Sequence, residues 1–62
     1  MNTFNVHFSI HHESFNGYDH YDGEISVGVI ARNAESAKKK AFKEINKKGG
    51  GYEYRYRYLT QE

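Results

Sequence analysis

Apolar and polar residues alternate near the start of the chain: Phe4, Val6, Phe8 and Ile10 are separated by Asn5, His7 and Ser9. Period two over this length predicts a strand with one buried face. Ile25, Val27 and Val29 repeat the pattern, and the run stops at Arg32-Asn33. The period then lengthens. Ala34, Ala37, Ala41 and Ile45 form an apolar stripe at helical spacing, with Phe42 on its flank. Asn33 suits an N-cap, Glu35 the first turn, and Lys47-Lys48 the last turn before Gly49. Small alanines let such a helix lie close to a sheet, while Lys39, Lys40, Lys43 and Lys47 face away. After Gly49-Gly50-Gly51 the segment YEYRYRYL alternates strictly. It predicts a strand with Tyr52, Tyr54, Tyr56 and Tyr58 turned to the helix. Glu53, Arg55, Arg57 and Leu59 fall on the opposite face.

Asn16-Gly17 is the dipeptide best suited to a two-residue type I′ hairpin, because both central positions need positive φ. A turn closing on Phe15 and Tyr18 sets Phe8 opposite Ile25, Val6 opposite Val27 and Phe4 opposite Val29. All three pairs are apolar on one face, which is how register is fixed where one face is buried. A turn at Asp22-Gly23 leaves residues 4–10 unmatched. The expected fold is α+β, β-β-α-β, in one domain over residues 1–62: hairpin 3–32, helix 34–48, strand 52–59. The three-stranded antiparallel sheet takes the order 2-1-3, with the helix on one face. The far end of the hairpin, residues 11–22, extends past the helix. Those residues also fit an irregular loop with a bulge near Gly23.

The chain has 62 residues and no cysteine, which excludes disulfides and thiolate metal sites. A chain this short buries only about 60% of its unfolded surface, so its stability is marginal. No charged segment followed by an apolar run marks a signal peptide, and no apolar stretch approaches the ~20 residues of a membrane span. A soluble, cytoplasmic protein is expected. The net charge of +1 hides an asymmetry. Residues 1–31 hold Glu13, Asp19, Asp22 and Glu24 and no Lys or Arg, whereas all nine Lys and Arg lie in residues 32–62. Such polarity steers charged partners, although a lysine-rich helix surface is also an ordinary solvated face.

The type I′ register sets His11 opposite Asp22 and Glu13 opposite His20. These four side chains are candidate metal ligands, or plain cross-strand ion pairs. No metal or other cofactor is expected. Ser9, Ser14, Ser26 and Ser36 lie in no nucleophile elbow or triad context, and a domain of this size has little room for a pocket, so an enzyme is not expected. Residues 38–40 (three lysines), Lys43, Lys47, Lys48, Arg55 and Arg57 offer phosphate contacts. The tyrosines, however, are expected to turn inward, away from a base-stacking role. The hairpin end mixes Tyr, Phe, His and Asp, a composition that suits protein interfaces. Two open sheet edges would accept a further strand, from a second copy or a partner. The candidate contact residues are Tyr18, Asp19, Tyr21 and Asp22 at the hairpin end. Lys39, Lys40, Lys43, Arg55 and Arg57 form the basic surfaces.

The segment VIARNAESAKKKAFKEI, following a hairpin and leading to a closing strand at residues 52–59, resembles small inhibitors encoded by phages and mobile elements. These include certain anti-CRISPR proteins and the short phage inhibitor of bacterial RNA polymerase. The resemblance covers architecture over most of the chain and carries over no individual site residue. It implies a stoichiometric protein binder that blocks a host nucleic-acid-handling enzyme. Many such inhibitors are acidic; this chain is bipolar, a departure that bears on nucleic-acid mimicry. The alternative is a small RNA- or DNA-binding protein using the lysine-rich helix with Arg55 and Arg57.

Overall fold

The computed structural model describes residues 1–47 and 51–62. Strand β1 (Asn2–Glu13) and strand β2 (Asp19–Ala31) form a hairpin, helix α1 (Ala34–Asn46) follows, and strand β3 (Glu53–Gln61) closes the chain. The sheet is antiparallel with the order β2-β1-β3, so the first strand is central and the other two are edges. The expected α+β, β-β-α-β fold is the observed one. The expected helix end at Lys48 and the glycines at 49 and 50 lie outside the described residues.

The base of the hairpin holds the expected pairs Phe4–Val29, Val6–Val27 and Phe8–Ile25. The turn differs. Ser14 N–H donates to the Tyr18 carbonyl at 2.8 Å, and Gly17 N–H donates to the Ser14 carbonyl at 2.9 Å. The loop is therefore Phe15-Asn16-Gly17, one residue longer than expected. Gly17 has φ 81° and no non-glycine residue among the described residues has positive φ, which rules out a type I′ turn because Asn16 would need it too. A second offset cancels the first. Pairing passes from Ile10–Gly23 to His11–Tyr21, so Asp22 is an extra, bulged residue beside Gly23, whose φ is 122°. Nothing lies within 4 Å of a Cβ placed on Gly23; its backbone angle, not lack of space, calls for glycine.

Asn33 caps the helix with extended backbone, its side-chain oxygen accepting from Ser36 N–H at 2.9 Å. Ala37, Ala41 and Ile45 are fully buried against Phe4, Val6 and Phe8 of β1 and Val29 and Ala31 of β2. Ala34, the expected start of the stripe, is exposed, since it precedes the first turn that rests on the sheet. Alanines at the contact let the backbone come close, and Phe42 packs edge-on to Phe8 with centroids 5.1 Å apart. Fully burying a side chain the size of Ile45 or Phe8 is worth about 1.5–3 kcal/mol, so these few residues hold most of the apolar driving force.

The strict alternation of β3 does not survive folding. His7 pairs with Tyr58 and Phe8 with Tyr56, leaving Arg57 as a bulge. Tyr54 and Tyr56 face the helix side, joined by Leu59, which pairs with Val6 and packs on the core. Tyr58 goes to the open face and stacks on His7 at 4.4 Å. Of the expected four-tyrosine face, Tyr54 and Tyr56 pack on the core beside Leu59, Tyr52 is exposed next to His12, and only Tyr58 changes face, because one extra residue reverses parity for everything after it.

The molecule measures 44 × 18 × 14 Å, with a radius of gyration of 12.7 Å. A compact domain of this length has a radius of about 10.6 Å. The hairpin end beyond the helix supplies the excess.

Candidate functional site

Two surfaces carry the candidate residues: the open face of the sheet and the hairpin end. On the open face, β1 presents Asn5, His7, Ser9 and His11, flanked by β2 and β3. Ser9 pairs with Glu24 on one side and Arg55 on the other, and is only 6% exposed. Strands lie about 4.8 Å apart, so long side chains from the two edges meet above this small central residue. Arg57 Nη1 is bound to Glu24 Oε1. Arg55 Nη1 donates to Asp19 at 3.1 Å and its Nη2 donates to Glu53 at 2.9 Å. The Glu53 hydrogen bond comes first in raising the Arg55 guanidinium above its ordinary pKa, desolvation opposes it, and the charge of Asp19 adds to it.

This arrangement changes the meaning of the charge asymmetry. Three of the four acids of residues 1–31 lie on β2 and the two arginines Arg55 and Arg57 lie on β3, and order β2-β1-β3 sets them on either side of one strand. Arg55 and Arg57, expected as a basic surface, are committed to Asp19, Glu53 and Glu24. Of the helix lysines, Lys38 Nζ lies 4.0 Å from the centroid of the Tyr56 ring, Lys47 pairs with Glu44 at 3.3 Å, and Lys40 donates to the Ile30 carbonyl at 2.7 Å. Lys40 therefore leans toward β2 rather than away from the sheet. Lys39 and Lys43 remain exposed, with no ion pair among the described residues.

The expected pairs His11–Asp22 and Glu13–His20 do not form, because the bulge at Asp22 moves every partner in the hairpin end by one. His11 pairs with Tyr21, His12 with His20 and Glu13 with Asp19. His12 takes Asp22 through its Nδ1, stacks on His20 at 5.0 Å and meets Tyr52 edge-on at 6.2 Å. The four metal candidates His11, Glu13, His20 and Asp22 are split between neighbourhoods, and no group of three metal-ligating side chains converges among the described residues.

The same shift aligns three residues that the sequence did not link. His11 Nε2 lies 2.8 Å from Ser9 Oγ, and His11 Nδ1 lies 3.2 Å from Asp19 Oδ2. Their order is that of a Ser-His-Asp relay, but the geometry does not fit acyl transfer. Ser9 is buried in the central strand between two partners, which closes its hydroxyl to an acyl substrate. Asp19 is near His11 Nδ1 yet off the hydrogen-bonding line, leaving that nitrogen unpartnered among the described residues. The trio braces the sheet. Its signal in the sequence was the i, i+2 spacing of Ser9 and His11; Asp19 comes into reach only in the register with a bulge near Gly23, the alternative the sequence left open.

At the hairpin end, Phe15 is 105% exposed, Tyr18 68% and Tyr21 59%. Asp19 is tied down by Arg55 and Asp22 by His12, so of the four expected contact residues there the two tyrosines are the free ones. Tyr18 is fixed at its backbone, where its N–H donates to Ser14 Oγ at 3.1 Å. Among the described residues no helix is long and apolar enough to cross a membrane. Among known proteins, no family model, no curated protein and no solved structure matches this chain.

Proposed function

We propose that this chain is a small non-enzymatic binding protein that acts by stoichiometric contact with another protein, through the end of its β1–β2 hairpin. The observation that carries the reading is the exposure of Phe15, Tyr18 and Tyr21 on a ribbon extending past the core. Large aromatics supply binding energy when desolvated, and they are enriched at interface centres. The ion pairs of Asp19 and Asp22 stiffen the ribbon that presents them. The resemblance to phage and mobile-element inhibitors favours a partner among host nucleic-acid-handling enzymes, and the cytoplasm is the proposed compartment. Direct binding of RNA or DNA is less well supported, since Arg55 and Arg57 already have carboxylate partners.

The double variant Tyr18→Ala with Tyr21→Ala tests the reading. Affinity capture from host lysate, with and without nuclease, identifies the partner; the variant should then bind it at least tenfold more weakly while keeping the wild-type melting temperature. Undiminished capture by the variant, or capture abolished by nuclease, would sink the proposal.

A further inference from the structure

We propose that the outer edge of β2 accepts an extended, acid-flanked segment of another protein as a fourth, antiparallel strand. The direction of the backbone comes first. The Thr3 carbonyl accepts from Glu62 N–H, on the β3 side, and Ser14 N–H donates to Tyr18, on the β2 side. Odd residues of β1 therefore bond β3 and even residues bond β2, so Phe4, Val6 and Phe8 hold Val29, Val27 and Ile25. Ser26, Gly28 and Ile30 consequently aim their N–H and C=O groups outward. Lys40 agrees with this, since its ammonium reaches the Ile30 carbonyl.

A cavity of about 460 Å³ lies against this edge, lined by Ile25, Ser26, Val27, Gly28, Glu44 and Lys47. Four consecutive strand residues line it, as expected of a cavity beside a strand edge rather than over one face. Ile25 and Val27 point to the helix side yet stay half-buried. Protein edges are commonly blunted by lysine, proline or a bulge. From Gly23 to Ala31 this strand has none within it, and only Ile30 is shielded, by Lys40.

The chemistry of the occupant follows. Residues above Ile25 and Val27 must be apolar at alternate positions, and those beside Ser26 and Gly28 small and polar. Lys47 and Glu44 line the groove and pair with each other, and Lys40 stands at its Ile30 end, so the helix flank carries a net positive charge and the segment carries acids beside its apolar core. A second copy fits less well. Two β2 edges paired about a twofold axis would bring two lysine-bearing helix flanks side by side, and like charges repel.

The test is a titration of the labelled full chain with a synthetic peptide of alternating valine and threonine, carrying two aspartates at each end. The amide signals of Ser26 and Gly28 should shift, and their hydrogen exchange should slow about tenfold. In antiparallel pairing the threonine amides face β2. Methylating those nitrogens should weaken binding about tenfold, the worth of one or two lost hydrogen bonds, whereas methylating the valine nitrogens should not. Replacing the aspartates by lysines should weaken it about tenfold as well. The Tyr18→Ala, Tyr21→Ala variant should bind the peptide like the wild type, which separates this surface from the hairpin end. Unmoved Ser26 and Gly28 amides, indifference to which nitrogens are methylated, equal binding of the lysine form, or sedimentation as a dimer that already protects those amides would each overturn the proposal.

Discussion

Leu59 and Tyr58 occupy the faces that a regular strand would have given the other, and this decides which of them the fold needs. Leu59 packs against the core beside Val6, while Tyr58 stacks on His7 and stays half-exposed. Leu59→Ala removes partly buried methyl groups and should cost about 1–2 kcal/mol, below the 2–5 typical of fully buried leucines. Tyr58→Thr loses a cross-strand contact worth about 0.2–1 kcal/mol. Urea denaturation of the two variants checks the order; a more harmful Tyr58→Thr would mean that β3 alternates without a bulge. Arg55 needs a different probe. Its raised pKa means that its charge contributes below the ordinary arginine value and is lost only as pH rises through the still higher folded one. Salt, rather than pH near neutrality, therefore weakens its bridges to Glu53 and Asp19.

Strands and helix were legible to different depths, for physical reasons. The hairpin base was readable because Phe4, Val6 and Phe8 must meet Val29, Val27 and Ile25 for one face to be buried. Nothing of that kind constrains residues 11–22, where no apolar row points into the core, so periodicity could not choose between a two-residue and a three-residue loop. The difference was one residue, enough to exchange His11–Asp22 for His11–Tyr21 and to spoil every side-chain pairing proposed there. In β3 the sequence carries a signal of its own: Leu59 is an apolar residue at a polar parity, which is what a bulge before it produces. The arginine partners do not follow from the register of neighbouring strands, since Arg57 and Glu24 meet across the central one. The helix, by contrast, was announced by its cap. At 13 residues it is marginal alone, so both its cap and its tertiary contacts matter. Asn33→Ala leaves Ser36 N–H without its acceptor and should cost about 1 kcal/mol, read as a lowered melting temperature. No change would mean that packing alone holds the first turn.

Core and hairpin end are separable in the molecule as a whole. Among the described residues every buried apolar side chain lies in residues 4–8, 29–31 or 37–45, and none lies in 11–22. Ile10 and Gly23 form a hydrogen-bonded pair, since even residues of β1 bond β2, and a two-residue type I′ loop closes on such a pair. Replacing residues 11–22 by Asn-Gly therefore gives a shortened chain whose core register is untouched. Its energetics nearly balance. Shortening a twelve-residue excursion to two lowers the closure entropy by about 1.5 kcal/mol. The lost cross-strand pairs, such as His12–His20 and His11–Tyr21, are worth about 0.2–1 kcal/mol each. The shortened protein should melt within a few degrees of the parent, with the same amide dispersion for β1, β3 and α1, and it should lose the partner captured through Tyr18 and Tyr21. Unfolding on shortening would show that the ribbon is part of the folding unit; retained partner binding would move the interface onto the helix or the sheet. Either result is decisive, because the excised residues include every aromatic that the hairpin holds beyond the helix and none that the core buries.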